Sequence, residues 1–401
     1  MAHVTVLAPK FDASDPALLA DPYPVYAELR AASAACRGAP GQWVLTRYHE
    51  VARMLRERRL TKQLPAAYYR VAGAAPGVES FLARMNTGRR DQLLARRVGA
   101  AFRAPLVEQL GRRMSAMVDD LLDDALQART FDLARGLALR FPMMVMCELI
   151  GIPEEDREEL WPRAAALLAS FSDAAFLGDR DLRQAEESLA WMQRYLAELV
   201  AERRARPVED LLSRLAPAGP EGTSFSDEQI VDSAIRVFYA GFETSKGMLC
   251  NGVAALLDHP CELRRLREDP SLIPSAVDEF LRYDAPIQVS MRMALEPLEA
   301  GGRRIHEGRV LVLLIGSANR DERRFAAPDR FDVGRRPNPH LSFGGGLNYC
   351  LGAALAKQEG VIALSRLLAR TTEIEPAGER TRQPLVNLRC LERFPVCVRA
   401  R

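Results

Sequence analysis

The sequence predicts a mainly α-helical protein with small β-sheets, an α+β fold in a single domain over residues 1–401. Long stretches carry apolar residues at helical spacing, whereas strand-like stretches are short and lie near the two ends of the chain. Hydrophobic residues make up 48% of the chain and charged residues 27%, which is ordinary for a globular protein with a sizeable core. No internal repeat or low-complexity linker divides the sequence, so one large domain is expected.

Individual helices, strands and loops follow from the local patterns. Residues 107–126 and 188–205 have the periodicity of amphipathic helices. Short strands are predicted within residues 42–48, 309–316 and 394–400, and we expect strands from both ends of the chain to share one small sheet. Residues 215–224 are rich in proline and glycine and are predicted to form a surface loop.

A long helix follows that loop. The sequence SDEQ, from Ser226 to Gln229, fits a capping box, in which the serine and the glutamine satisfy each other's backbone donors. The run that follows is uninterrupted as far as Pro260 and would make a rod of roughly 50 Å. It is apolar nearly all round, so we expect this helix to cross the middle of the protein.

Polar residues interrupt the centre of this helix, beside Gly241. Glu243 and Thr244 would be buried there, and buried polar groups cost stability unless they are satisfied. The Thr244 hydroxyl can donate to the carbonyl of Ala240, four residues earlier. Glu243 can pair with Lys246 one turn later. The spacing alone leaves open whether this acid and this hydroxyl are structural or take part in chemistry.

Charge and cysteine content limit the functional class. The net charge of +2 argues against a dedicated nucleic-acid-binding protein. The first residues lack the pattern of a signal peptide, and no apolar run reaches the length of about 18 residues that a membrane span needs. The seven cysteines are odd in number and form no CxxC pair, which favours a reducing cytoplasm. Cys147 and Cys250 lie in apolar helical runs and are predicted to be buried packing residues.

Cys350 has different neighbours. It lies in the glycine-rich sequence FGGGLNYCLG (343–352), and an amphipathic helix follows at once. The N-terminus of a helix favours the thiolate form of a nearby cysteine. Glycines let the backbone approach a large, flat group. A thiolate held against a flat cofactor is the haem-thiolate arrangement.

With these features the chain resembles the cytochrome P450 family, in the style of its soluble bacterial members, over essentially its whole length. Four motifs occur in the order of the family: AGFETS (240–245), EFLR (279–282), FAAPDRFDVGR (325–335) and FGGGLNYCLG (343–352). The resemblance implies the cytochrome P450 fold, a single large domain with haem b (iron protoporphyrin IX) between a long central helix and the cysteine loop.

The resemblance also implies a role for each motif. Cys350 would be the proximal iron ligand, and Glu243 with Thr244 would be the distal acid–alcohol pair that delivers protons to oxygen. Buried charges from the second and third motifs would form an ion network that holds the cysteine loop: Glu279, Arg282 and Arg335. The other haem-binding residues that it implies are Arg292 and His340, for the propionates, and Phe343, Gly344, Gly346, Gly352 and Ala240.

Three positions depart from the family pattern. The family commonly has histidine at the position of Asn348, and His-x-x-x-Arg where the early helix has Asp91 and Ala95. Those family residues normally bind the haem propionates. An aspartate would repel a carboxylate, so we expect Asp91 to point away, with Arg96 or a neighbour as a candidate replacement.

The implied activity is that of a monooxygenase that oxidises a mid-sized organic molecule, in secondary metabolism, with O2 and with electrons from separate redox partners. The expected partner is an acidic ferredoxin or flavodoxin with its reductase. Its docking surface would be a set of arginines on the early helix: Arg89, Arg90, Arg96, Arg97 and Arg103. We expect a cytoplasmic monomer that binds neither nucleic acid nor membrane.

The substrate pocket and the reaction type are less defined. By resemblance, the pocket should be lined by residues 61–90, Phe238, Tyr239, and residues 287–291 and 387–389. Coupling, dealkylation or nitration could replace hydroxylation. A haem-thiolate sensor without turnover and a peroxide-driven enzyme also stay open, although an acid–alcohol pair favours a monooxygenase.

Overall fold

The computed structural model describes residues 10–64, 76–84, 88–102, 105–173, 178–217 and 224–401. It confirms the predicted fold class, because helices dominate and the short strands are gathered in small sheets. The chain divides into two compact units, each made of segments that are distant in sequence. The first unit contains the residues up to 62, 247–350 and 379–393, and the second contains 63–246, 351–378 and 394–401. That residues 1–401 form one domain stays a prediction.

Both units contain helices. Those of the first unit are Pro16–Ala20, Pro22–Ala32, Tyr48–Met54, Pro260–Glu268, Ile273–Tyr283 and Ile315–Ala318. Those of the second unit are Pro76–Arg84, Gly88–Ala101, Pro105–Ala128, Arg140–Ile150, Arg157–Asp173, Asp179–Ala205, Leu211–Leu215 and Ala353–Arg370. The two helices predicted at 107–126 and 188–205 are thereby confirmed. Within the described residues, no helix combines the length and the apolar character that crossing a bilayer requires.

Twelve strands are present in the part of the chain that the structure describes. They are β1 (Ala35–Arg37), β2 (Gln42–Leu45), β3 (Leu60–Thr61), β4 (Thr130–Asp132), β5 (Val289–Ala294), β6 (Leu298–Ala300), β7 (Arg303–Ile305), β8 (Val310–Leu314), β9 (Thr371–Pro376), β10 (Thr381–Arg382), β11 (Leu391–Arg393) and β12 (Pro395–Ala400). The first unit has a five-stranded sheet of order β1-β2-β8-β5-β3 and the two-stranded pairs β6–β7 and β10–β11. The second unit has a three-stranded sheet of order β4-β12-β9.

The expectation that strands from both ends share one sheet is correct for one strand and wrong for another. Near the start of the chain, β2 pairs in parallel with β8, as expected. The last strand, β12, instead pairs with β4 and β9 in the other unit. Both strands have apolar, β-branched sequences, and such sequences do not specify which distant strand becomes the partner.

The core of the first unit lies against the five-stranded sheet. Strand β8 is central in that sheet, between β2 and β5, and four of its five residues are buried. Its sequence, VLVLL, is therefore continuously apolar, as is typical of a strand covered on both faces. This strand also fixes the position of β5, which carries Arg292.

The long helix spans Asp227–Asp258, 32 residues or about 48 Å. Its capping box is confirmed, since the Ser226 amide donates to the Gln229 side chain at 3.1 Å and the Gln229 amide donates to the Ser226 hydroxyl at 3.3 Å. The preceding loop predicted at 215–224 lies mostly outside the described residues. At Gly241 a Cβ atom would lie 2.0 Å from the sulfur of Met146, so only glycine allows this packing in the second unit.

Candidate functional site

The cysteine turn of the first unit is built around two glycines. Gly344 and Gly346 have φ angles of +73° and +63°, in the left-handed region that favours glycine. A Cβ atom on Gly346 would also lie 2.9 Å from the Cα of Arg56. The glycines are therefore required by the turn itself, a reason that adds to the space they leave for a flat group.

Cys350 lies at the end of this turn and is exposed. Its backbone N–H donates to the carbonyl of Phe343 at 2.9 Å, which closes the turn, and the rings of Phe343 and Tyr349 meet edge to face. Cys147 and Cys250 are fully buried, as predicted, and burial raises the pKa of the Cys147 thiol to about 12. Cys350 thus differs from them in being accessible to a ligand.

The chain enters a helix directly after the cysteine. Gly352 is the N-cap, and its carbonyl accepts from the Ala356 N–H at 2.8 Å. The helix Ala353–Arg370 belongs to the second unit. The predicted order of turn, thiol and helix is confirmed.

A buried ion network lies in the first unit, as the motifs predicted. Glu279 and Arg282 are completely buried and joined by two hydrogen bonds, of 2.7 and 2.8 Å. Arg335 donates to the same carboxylate at 3.2 Å. The amide of Asn338, which sequence reasoning missed, donates to it at 3.1 Å. Breaking one such buried pair typically costs about 3–5 kcal/mol, so this network holds together the segments that lead to the cysteine turn.

Arg292 is a buried cation with no carboxylate partner among the described residues. It is 3% exposed, and its guanidinium donates to the Ser290 hydroxyl at 2.8 Å and to the carbonyl of Met291 at 2.7 Å. Among the described residues, no carboxylate influences its charge, and burial lowers the pKa of Arg292 to about 10. A buried guanidinium of this kind fits an anionic group of a ligand, such as a haem propionate.

His340 has protein partners on both ring nitrogens. Nε2 lies 3.4 Å from a carboxylate oxygen of Asp278, and the Ser342 amide donates to Nδ1 at 3.3 Å. The predicted propionate contact of His340 is less supported than that of Arg292, because these partners already occupy the ring.

One face of the long helix is open at its centre. Ala240 is exposed and Gly241 and Thr244 are half-buried, whereas Phe242, Glu243 and Ser245 are buried. The Thr244 hydroxyl donates to the carbonyl of Ala240 at 2.9 Å, as the sequence predicted. The second unit therefore presents small side chains and one hydroxyl on the open face.

Two buried carboxyl groups lie beside the centre of the long helix. Glu243 accepts from Lys246 at 3.2 Å, so the ion pair that the sequence left open is formed. Ser245 donates to Glu359 of the helix Ala353–Arg370, and burial raises the pKa of this carboxyl to about 8. Ser245 and Glu359 were not predicted, since they are 114 residues apart and no motif links them.

Two of the predicted pocket segments meet in the first unit. The backbone N–H of Gln288 donates to the backbone carbonyl of Asn387 at 3.0 Å, and Ile287 and Leu388 form an isolated β-bridge. Phe238 and Tyr239 are buried in the second unit, and the Tyr239 hydroxyl donates to the carbonyl of Ala164. Much of the segment 61–90 lies outside the described residues.

The predictions for the early helix, Gly88–Ala101, are tested only in part. The side chains of Asp91, Ala95, Arg89 and Arg90 and the whole of Arg103 lie outside the described part of the chain. Arg96 is exposed, whereas Arg97 donates to the backbone carbonyls of residues 214 and 217. Asn348 is exposed in the cysteine turn. Arg97 is thus tied to the protein, and Arg96 is the arginine of this set that is described and available.

Comparisons with known proteins identify the family of this site. The family model of cytochrome P450 matches residues 85–385. The chain is 34% identical to the biotin biosynthesis cytochrome P450 of Bacillus subtilis (strain 168), over 94% of this chain and 96% of that protein. It is 33% identical to the cytochrome P450 monooxygenase PikC of Streptomyces venezuelae, over 94% and 91%. The crystal structure of P450BioI with an acyl carrier protein that bears hexadec-9Z-enoic acid is similar at a TM-score of 0.86 and 32% identity, covering 95% of this chain and 99% of that one.

Proposed function

The chain belongs to the cytochrome P450 family, and we propose that Cys350, Arg292, Glu243 and Thr244 carry its haem-dependent oxidation. It is a P450 oxidoreductase, a monooxygenase by its relatives, and its cofactor is haem. We assign haem b as the form bound. Cys350 would ligate the iron through its thiolate, and Arg292 would bind a propionate.

The exposed thiol of Cys350 is the observation that carries this assignment. It lies at the end of a turn closed by the Phe343 carbonyl, whereas Cys36, Cys147, Cys250 and Cys390 are buried. The other exposed cysteines, Cys261 and Cys397, lie in a regular helix and a strand, not in a glycine-rich turn. Bound haem with a thiolate ligand activates O2 and favours O–O cleavage.

The protein would contribute proton delivery. The Thr244 hydroxyl donates its own proton to the Ala240 carbonyl, so its lone pairs are free to accept a hydrogen bond from a water molecule. Glu243, the residue before Thr244, would exchange protons with that water. Thr244 would thereby offer an acceptor on the open face of the helix, with the buried Glu243 carboxylate adjacent to it in the chain.

Substrate and partner follow by analogy with the relatives. A biotin biosynthesis enzyme and the monooxygenase PikC are among them, which supports the oxidation of a mid-sized organic molecule in biosynthesis. We propose a cytoplasmic monomer that receives electrons from a separate ferredoxin or flavodoxin. Phe343, Gly344, Gly346, Gly352, Ala240 and His340 are kept as proposed haem contacts.

Replacement of Thr244 tests the relay. Thr244→Ala should divert electrons from product to hydrogen peroxide, because the water that delivers protons loses the hydroxyl that holds it, while substrate affinity stays within a few-fold. Thr371→Ala is the matched control, since the Thr371 hydroxyl also bonds the carbonyl four residues earlier, at 2.6 Å. Full coupling in Thr244→Ala would contradict the relay.

The Lys246–Glu243 ion pair favours a second candidate, a haem-thiolate sensor without turnover. A carboxylate engaged by lysine could serve structure alone. Turnover with surrogate redox partners, compared with turnover with peroxide alone, separates the candidates. A monooxygenase oxidises substrate in the first assay, a peroxide-driven enzyme in the second, and a sensor in neither.

A further inference from the structure

Glu243 and Lys246 form an ion pair inside the second unit. Glu243 is 3% exposed and Lys246 is 5% exposed, and the lysine Nζ lies 3.2 Å from Oε1 of the glutamate. They are three residues apart on the long helix. A buried charge persists only when it is paired, so each side chain stabilises the ionised form of the other.

Within the described part of the chain, one oxygen of the Glu243 carboxylate has a hydrogen-bond partner and the other has none. Oε2 of Glu243 is buried and has no hydrogen-bond partner among the described residues. Buried polar atoms almost always have a partner, in the protein or in ordered water. The lone oxygen is therefore suited to a water molecule, which a proton-exchanging carboxylate requires.

A second ion pair in the same protein has both carboxylate oxygens hydrogen-bonded. Glu279 and Arg282 have the same spacing of three residues and are also fully buried. The guanidinium binds both oxygens there, Nε to Oε2 and Nη2 to Oε1. The Asp332 amide, Arg335 and Asn338 add further donors to that carboxylate. No oxygen of Glu279 is left for water, which suits a structural role.

The choice of lysine explains the difference between the two pairs. The chain has only four lysines among its 55 basic residues, yet one of them occupies this buried position. Lysine carries a compact charge that can bind one oxygen, whereas the planar fork of arginine matches both oxygens of a carboxylate. We expect an arginine at position 246 to donate a hydrogen bond to Oε2 of Glu243 as well as to Oε1.

A second buried carboxyl group, that of Glu359, lies beside the long helix. Glu359 belongs to the helix Ala353–Arg370, and its carboxyl group accepts a hydrogen bond from the Ser245 hydroxyl. Burial raises the pKa of Glu359 to about 8, so at pH 7 it is largely protonated and neutral. Glu243 is the residue that Lys246 holds.

We propose that Lys246 is a positioning residue of the oxidation reaction, which keeps the Glu243 carboxylate ionised and fixed by one oxygen while Oε2 stays open to water. This rests on the proposed role of Glu243 in proton delivery. It goes beyond that role because it assigns the lysine a function that a purely structural ion pair lacks.

Two substitutions test the proposal by different measurements. Lys246→Met removes the cation, so Glu243 should take up a proton, and a carboxylic-acid carbonyl band should appear in the infrared difference spectrum of the folded holoenzyme at neutral pH. The band should be missing from the double variant Lys246→Met/Glu243→Gln. This readout needs no turnover. An unchanged spectrum in Lys246→Met, or a band that persists in the double variant, would overturn the proposal.

Lys246→Arg keeps the positive charge and should also donate a hydrogen bond to Oε2 of Glu243. We expect the product formed per electron to fall by about tenfold or more, without the infrared band. This is less than the roughly 100-fold or more that a proton-transfer group typically contributes to rate, because Glu243 itself is retained. The assay uses a surrogate ferredoxin, its reductase and a substrate selected by spectral titration, and haem content and thermal unfolding confirm that the variant is folded. Lys10→Arg, at an exposed lysine, is the control for the type of change. If folded Lys246→Arg is fully coupled, the pair is structural and the proposal fails.

The coupling of Thr244→Ala and the behaviour of the Lys246 variants report on separate roles. If Thr244→Ala stays coupled, the proposed relay is wrong, whatever the infrared spectra show. If Thr244→Ala uncouples, but Lys246→Arg is coupled and Lys246→Met gives no new band, only the role of Lys246 is refuted.

Discussion

Replacing Arg292 should have opposite effects on the haem-free and the haem-bound protein. Burial lowers its pKa from 12.5 to about 10, so the charged form is penalised by about 3 kcal/mol in the folded chain. No described carboxylate offsets that penalty. Arg292→Met keeps the length of the side chain and removes the charge. It should therefore leave the stability of the haem-free protein unchanged or raise it, by up to about 3 kcal/mol.

The same substitution should weaken haem binding. A hydrogen bond to a charged group contributes about 1.5–3 kcal/mol, and each 1.4 kcal/mol is a factor of ten. Losing the contact between Arg292 and a propionate should therefore speed haem loss by about 10- to 150-fold. Transfer of haem to an excess of apomyoglobin measures that rate, and denaturant unfolding of the haem-free protein measures the other effect.

Arg282→Met is the matched control, because Arg282 is also fully buried but is paired with Glu279. It should destabilise the haem-free protein, by about 3–5 kcal/mol, since it leaves a buried carboxylate without its partner. If Arg292→Met destabilises the haem-free protein as much as Arg282→Met does, or if it loses haem at the wild-type rate, Arg292 does not serve a propionate. Arg96 and its neighbours would then be the residues to test.

Three further predictions concern the iron, the redox partner and a buried acid. Cys350→Ala should abolish, and Cys350→His should shift, the Soret band that a reduced, CO-bound haem-thiolate protein shows; an unchanged band would remove Cys350 from the iron. Reduction by a ferredoxin should slow as salt rises, because exposed charges such as that of Arg96 are screened over about 8–10 Å. A rate independent of salt would contradict electrostatic docking. Burial raises the pKa of Glu359 from 4.5 to about 8, so the folded protein holds a proton that the unfolded chain releases, and stability falls as pH rises between those values. Glu359→Gln should therefore raise the free energy of unfolding at about pH 9, by up to about 5 kcal/mol, and change it little at about pH 4; parallel pH profiles of variant and wild type would refute this.

Local patterns predicted the features that depend on neighbours in sequence. The capping box of Ser226 and Gln229, the bond from Thr244 to Ala240 and the pair of Glu279 with Arg282 are set by helix geometry over three or four residues. The structure forms each of them. The order of the four motifs added the family, which the comparisons confirm.

Contacts between distant segments were not predictable in the same way. Strand β12 could have joined either sheet, because its apolar sequence suits both. The hydrogen bond from Ser245 to Glu359 joins two helices. Ser245 ends the AGFETS motif, but Glu359 lies 114 residues away and belongs to no motif. The sequence shows Glu359 as an acidic residue on the apolar side of the helix Ala353–Arg370, but it does not indicate which residue binds it.

The two buried carboxylates at i,i+3 spacing show where spacing stops being informative. Sequence places Glu243 beside Lys246 and Glu279 beside Arg282 in the same way, and both pairs form. Whether an oxygen stays available depends on the shape of the cation and on donors from elsewhere in the chain, such as the Asn338 amide on Glu279. A fully bound carboxylate is held in one state, since moving a proton onto it would break several hydrogen bonds at once. A carboxylate bound at one oxygen can exchange a proton at the other, which is why the lysine pair, and not the arginine pair, fits a role in proton delivery.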